Sequence, residues 1–211
     1  MRTIMADTIG EAWLKACRTV MKEGKVIKDG RKKLKEVMQL MLIVKKPKVN
    51  DSIIEECGDK EMIDWMVSNF MDEKIVPELK NSQSYGFRLF NYNGKDQIKW
   101  VVERLKRNPD AKSATITTLM PNSDKGYIPC VSLLDFKIRK GKLILTVSCR
   151  AIDFGNKAYA NLIALARLQD IVAYELRVKA GPIYFHAVSA HAYEEDFKSV
   201  RKMLRKYEVA A

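Results

Sequence analysis

Ile128-Pro129-Cys130-Val131 opens a stretch that turns at Lys140-Gly141 and returns through Ser148-Cys149-Arg150-Ala151-Ile152-Asp153 toward Asn161. Val131 to Ile138 and Leu143 to Cys149 are apolar runs of strand length on either side of that turn, which predicts an antiparallel hairpin of largely buried strands. A cysteine directly after a proline, at the head of such a strand, is a candidate nucleophile. The return strand brings an arginine back toward it, and a cation beside a thiol favours the thiolate. The same guanidinium is a permanently charged fork that fits a phosphate. One strand pair is thus expected to hold both an attacking sulfur and an anion anchor. Against this stands the ordinary fate of cysteine as a small buried hydrophobe, open to each of Cys17, Cys57, Cys130 and Cys149; the surroundings of Cys130 distinguish it.

Working outward, strands gather in the second half of the chain and helices in the first. Helical spacing over residues 7–22 (Ile9, Ala12, Trp13, Ala16, Cys17, Val20) predicts a helix capped by Asp7 or Thr8 and closed by Gly24. Gly24 to Arg31 reads as a polar turn-rich connection. Residues 32–44 read as a second helix (Leu34, Val37, Met38, Met41, Leu42) ending before Pro47, and residues 60–71 as a third. Asn81 to Gly94 reads as loop or short strand, and Lys95 to Arg107 as an amphipathic helix. A strand follows at Ala114 to Met120. Beyond the hairpin, Ala158 to Val178 is nearly apolar all round and predicts a central buried helix. Pro182 to Ser189 is a strand running into His191-Ala192-Tyr193, and a terminal helix covers Glu194 to Tyr207. No repeat, low-complexity segment or linker interrupts residues 1–211, so the expectation is a single α+β domain.

Composition sets bounds on function. An apolar fraction of 47% with dispersed charge is that of a globular chain. No apolar run is long enough for a bilayer and no secretory signal is visible at Met1. Without paired Cys-x-x-Cys spacing, neither a disulfide scaffold nor a zinc site is indicated, and reduced thiols in the cytoplasm are expected. The net charge of +12 attracts polyanions. It suits a phosphorylated substrate as well as a nucleic acid, and no aromatic-interleaved basic motif points to RNA.

Several signals fall in one order: Tyr85-Gly86, Asp96-Gln97-Ile98, Asn108-Pro109-Asp110, Pro129-Cys130, Arg150 with Asp153, Asn161 eight positions further, and His191-x-Tyr193. In this order and spacing the chain resembles thymidylate synthase. The resemblance is close over about 85–200 and loose before, and the compact length with Ala12-Trp13-Leu14 is most similar to the short archaeal branch.

The resemblance implies a thymidylate synthase-like mixed β-sheet packed with helices, a homodimer joined through that sheet, and reductive methylation of dUMP to dTMP. The one-carbon donor would be 5,10-methylene-tetrahydrofolate or 5,10-methylene-tetrahydromethanopterin, with no metal. Cys130 would add to C6 of the uracil, and Arg150 would bind the 5′-phosphate. Asn161 would pair with uracil O4 and N3–H, an amide being able to accept and donate at once. His191 and Tyr193 would hold the ribose 3′-hydroxyl, Asp153 the pterin, and Tyr85 the water that takes the C5 proton.

The chain also departs from the family's pattern. Ala151 stands where a serine is expected after the phosphate arginine, and Lys112-Ser113 where an arginine pair reaches across the dimer. Arg31 is the candidate for a further phosphate arginine. For the catalytic glutamate, the ungapped register gives Leu40, and Glu36 one helical turn earlier is the substitute. Eighteen residues follow Tyr193, where a longer segment closing over the folate is expected. Two rivals therefore stay open: a dUMP/dCMP hydroxymethylase, in which water replaces hydride, and an inactive homologue that binds nucleotide or RNA.

Overall fold

The computed structural model describes residues 2–207. The described chain begins with β1 (Arg2–Ala6), then α1 (Ile9–Glu23), which is capped by the Thr8 hydroxyl accepting from the Glu11 amide. β2 (Lys25–Asp29) and β3 (Lys32–Val44) form a hairpin, followed by α2 (Ser52–Cys57) and α3 (Lys60–Met71). A small ribbon of β4 (Ile75–Val76) and β5 (Ser82–Gln83) leads into α4 (Tyr85–Phe90), α5 (Gln97–Arg107) and β6 (Thr115–Thr117). The remainder is β7 (Val131–Arg139), β8 (Lys142–Asp153), α6 (Ala158–Glu175), β9 (Lys179–Tyr193) and α7 (Phe197–Lys206).

The main sheet has the order β1-β3-β9-β8-β7-β6, with β2 paired to β3 off this path. β7–β8 is the predicted antiparallel hairpin, with Lys140 and Gly141 both at positive φ in its turn. β8 and β9 run parallel and are joined by α6, whose first half is buried on every side. That burial fits its position under two strands and beside α1 and α3, and only Arg167, Asp170, Ile171, Tyr174 and Glu175 in its second half face water. Alternation along the strands sends Leu40, Leu42 and Val44, Leu143, Leu145 and Val147, and Ile183, Phe185 and Ala187 into one core beneath the helices. The opposite sheet face, with Met41, Ile43, Thr146, Tyr184 and His186, stays half-buried.

Three expectations from the sequence are corrected here. Residues 32–44 are not a helix but the long strand β3, between β1 and β9. The run Val37 to Val44 is apolar at nearly every position because β3 meets neighbours on both edges and has little purely polar face. In such a run helical and strand periods fit equally well. Gly24 to Arg31 is likewise not an open connection: it contains β2, paired residue for residue with β3 from Lys25↔Glu36 to Asp29↔Lys32. Its five residues are all exposed, so no apolar alternation marked it. The segment read as loop or short strand over 81–94 holds α4, whose N-cap is Ser84.

Candidate active site

Because β8 and β9 are parallel, their C-terminal ends lie side by side, with Asp153 registered against His191. α6 starts immediately after β8, so Asn161 falls on its first turn. Cys130 sits just before β7, and the Arg150 amide donates to its carbonyl at 2.9 Å across the hairpin. A cavity of about 280 Å³ opens at this end of the sheet. Cys130, Arg150, Asp153, Asn161, His191, Tyr193 and Tyr85 all line it. Residues spread over more than a hundred positions of sequence thus converge on one space.

Cys130 is half-buried, and this burial raises its thiol above the usual range, outweighing the lowering effects of Arg150 and Tyr127. The expectation that the arginine beside it makes a thiolate is thus only partly met: the cation acts in that direction, and desolvation acts against it more strongly. Arg150 is also engaged elsewhere, its Nε donating to the Pro129 carbonyl at 3.2 Å and its Nη2 to that of Ile128 at 2.7 Å. It grips the segment leading into the cysteine, and the rest of its fork remains for an anion. Tyr85 secures the same segment from the other side. Its buried hydroxyl accepts from both the Cys130 and Val131 amides at 2.9 Å, and its ring stacks on Phe70 at 4.3 Å.

Asn161 is buried, with its side-chain amide donating to the Lys157 carbonyl at 2.9 Å. Asp153 accepts from the Gly155 amide at 2.9 Å; burial, then the neighbouring Asp196, pushes its carboxyl up to about 6. The turn between them is fastened from far away in sequence. Trp13 Nε1 and Cys17 Sγ of α1 both donate to the Phe154 carbonyl, at 2.8 and 3.2 Å. The N-terminal helix therefore fixes where Asp153 ends and α6 begins.

His191 is buried enough that its imidazole is held below its usual range, and so neutral at physiological pH. It meets the Tyr193 ring edge-on at 5.2 Å, and the Tyr193 hydroxyl donates to Asp29 at 3.3 Å. Glu36 is on β3, opposite His191 in register, and accepts from the Ser189 hydroxyl; it is not part of the cavity lining. Arg31 sits exposed after Gly30 at the tip of the β2–β3 hairpin, two positions beyond the lining residue Asp29. Lys112 is exposed in the segment between α5 and β6, outside the lining.

The cavity also contains residues that sequence reasoning passed over: Trp65 and Asn69 on α3, Asp29, Tyr127 and Lys157. Asn69 accepts from the Tyr85 amide at 3.3 Å, so it positions a residue that was expected. Tyr127 stands three positions before the cysteine, and that proximity was the one available signal. Trp65 read simply as core on an amphipathic helix.

A thiol, a fixed cation, an amide that can accept and donate, and a half-buried carboxyl around one cavity suit covalent attack on a planar, anionic substrate. The thymidylate synthase family model matches residues 50–211. The chain is also similar, over nearly all its length, to archaeal proteins carrying the name "Putative thymidylate synthase". One from Methanosarcina barkeri is 34% identical over 208 residues, covering 97% of this chain and 95% of its own. Another, from Methanothermobacter marburgensis, is 31% identical over 217 residues, covering 96% and 97%. This chain belongs to the thymidylate synthase family, which binds dUMP and uses a folate-type one-carbon donor.

Proposed function

We propose that the protein is a thymidylate synthase that converts dUMP to dTMP by reductive methylation, with Cys130 as nucleophile. The observation that carries this reading is the convergence of Cys130, Arg150, Asn161, His191 and Asp153 on one cavity. The Cys130 sulfur, as thiolate, forms a bond to C6 of the uracil, and the C5–C6 π electrons move toward O4. Asn161 accepts from N3–H and donates to O4, so it orients the ring and supports the charge arriving on that oxygen. Arg150 takes the 5′-phosphate with the donors not already on the Ile128 and Pro129 carbonyls. The neutral imidazole of His191 and the hydroxyl of Tyr193 address the ribose. Once C5 carries the new carbon its proton passes to water, and when the sulfur leaves C6 with its bonding pair the C5–C6 double bond is restored.

The reduced pterin, tetrahydrofolate or tetrahydromethanopterin in type, supplies the methylene carbon and the hydride that makes it a methyl group. The residues present fit such a group: Asp153, raised to about 6, accepts from or donates to an amino-heterocycle near neutral pH, and Trp65 offers an aromatic surface in the same cavity. Glu36 lies outside the cavity lining, registered against His191 and accepting from the Ser189 hydroxyl, which favours a positioning part for it over that of the base at C5. The half-buried sheet face with Met41, Ile43 and Tyr184 is the surface for a homodimer, in which Lys112 and Arg31 add cations to a phosphate site that lacks a hydroxyl at Ala151. The cytoplasm is the compartment that such a reaction and four free thiols suit.

The test uses dUMP tritiated at C5 with each methylene-pterin, comparing the protein with Cys130→Ala. Tritium release that requires Cys130 and yields dTMP is the expected result. A product carrying a hydroxymethyl group would make the protein a hydroxymethylase, and tight dUMP binding without release would mean a site that binds and does not react.

A further inference from the structure

Glu36, Ser189 and His191 stand together on one face of the sheet. Ser189 and His191 are two positions apart on β9, and Glu36 on β3 is registered opposite His191, with Met38 opposite Ser189. Their side chains form one line of hydrogen bonds. The Ser189 hydroxyl donates to Glu36 Oε1, and Ser189 Oγ lies 3.4 Å from His191 Nδ1.

The direction of the second contact follows from the first. A serine hydroxyl has a single proton. With that proton given to Glu36, the serine oxygen can meet His191 only as an acceptor, so Nδ1 must carry the imidazole proton. In a neutral imidazole one ring nitrogen donates and the other accepts, and the partner of one decides the role of the other. The relay thus leaves Nε2 as a bare lone pair. Of the three side chains only His191 lines the cavity. Its Nδ1 is turned to Ser189, and Nε2 makes no hydrogen bond among the described residues. What this end of the cavity offers a ligand from the imidazole is therefore an acceptor, and the group that fits it is a donor such as a hydroxyl.

We propose that Glu36 and Ser189 are positioning residues that fix the tautomer of His191, so that Nε2 accepts from the sugar hydroxyl of the nucleotide. The proposal rests on the reading of His191 as the residue that addresses the ribose. It gives a carboxylate outside the cavity a part in selecting what enters it: Glu36 acts through the serine proton and then through the histidine proton, without touching the ligand.

The experiment reads the ring nitrogens of His191 by multiple-bond proton–nitrogen correlation spectra of the full-length protein, labelled with nitrogen-15 histidine, at mildly alkaline pH. The chain has two histidines, and His186→Gln identifies the signals of His191. The expected wild-type pattern is a protonated Nδ1 and an unprotonated Nε2. Ser189→Ala removes the acceptor, and the proton should move to Nε2 in most molecules; Ser189→Thr keeps a hydroxyl and should restore the wild-type pattern. Glu36→Gln can present its amide to Ser189 and send the serine proton to Nδ1, so it should shift the tautomer the same way; this variant serves if Ser189→Ala does not fold. Calorimetry then compares dUMP with an analogue bearing fluorine for the 3′-hydroxyl, which cannot donate. Wild type should prefer dUMP by about fivefold, the worth of one hydrogen bond, and the preference should narrow in Ser189→Ala. A wild-type proton on Nε2, or a tautomer that neither variant moves, overturns the proposal. The tritium assay stands apart: dTMP formed by a protein with its proton on Nε2 sinks the relay alone, and the expected tautomer without tritium release sinks the synthase reading alone.

Discussion

Replacing Asp124 with asparagine would leave Arg88 charged where water does not reach. Arg88 is 2% exposed and the Asp124 side chain 6%. Its guanidinium is fully enclosed by acceptors: the Gln83 carbonyl at 3.1 Å, the Thr118 carbonyl at 2.7 Å, and both Asp124 oxygens. Asp124 also accepts from the Met120 amide at 2.7 Å. Breaking one side of a buried pair typically costs about 3–5 kcal/mol, because the remaining charge keeps its desolvation penalty without its partner. The amide retains part of the hydrogen bonding, so the lower end, about 3 kcal/mol, is the figure for Asp124→Asn. With a urea slope of about 2 kcal/mol per molar, the unfolding midpoint should fall by about 1.5 M. The double replacement Arg88→Met with Asp124→Leu removes both charges and should recover most of that loss. Urea titration followed by far-UV circular dichroism reads all three proteins. If Asp124→Asn unfolds at the wild-type midpoint, the pair is not buried in solution and the anchoring of residues 118–127 is wrong.

Other replacements probe the site more directly. Asp153 is raised from 3.8 to about 6, so the native state keeps a proton that the unfolded chain has released between these values. Its stabilising contribution is complete below about pH 4 and lost as pH rises through 6. Asp153→Asn should therefore stabilise the protein by up to about 3 kcal/mol above pH 7 and abolish activity with the pterin; urea midpoints that vary with pH identically in both proteins would refute this. A methyl group at Gly86 would lie 2.3 Å from the Asp72 carbonyl oxygen. Gly86→Ala should cost about 2 kcal/mol and displace Tyr85, seen as a lower melting temperature together with altered Cys130 alkylation. Asn161→Asp exchanges a side chain that donates for one that only accepts, so binding calorimetry should show dUMP affinity falling by about tenfold or more while dCMP changes less; equal losses for both would argue against Asn161 reading the base.

How much of this could be read from the chain differs by kind of residue. The β7–β8 hairpin was legible because its turn, its apolar runs and its length all pointed one way. α6 was legible because apolar residues fall on nearly every face of a run of helix length. β3 was not, since a strand between two neighbours loses the alternation that distinguishes it from a helix, and that error carried Glu36 onto the wrong kind of element. β2 was hidden for the opposite reason, being exposed at every position. Among site residues, those on strand ends and the start of α6 were named from the family resemblance that their order carries, whereas Tyr127, Asn69 and Asp29 reach the cavity only in the folded chain. The effect of burial on Cys130 was also beyond sequence: which cation lies near it was legible, how much water is excluded was not.

The parallel pairing of β8 with β9 has a consequence for the order in which the site comes into being. Cys130 and Arg150 meet through one local hairpin, a closure of low entropic cost that needs nothing else of the chain. His191 can join them only after α6 has crossed over and β9 has zipped along β8, and Tyr85 must arrive from 45 positions upstream. The slow, long-range steps thus come after the nucleophile and its arginine are already paired. Partly folded chains would carry a cysteine beside a cation but no buried pocket around it, so the cavity that confers selectivity is completed late, and reactivity at Cys130 reports on completion of the whole sheet.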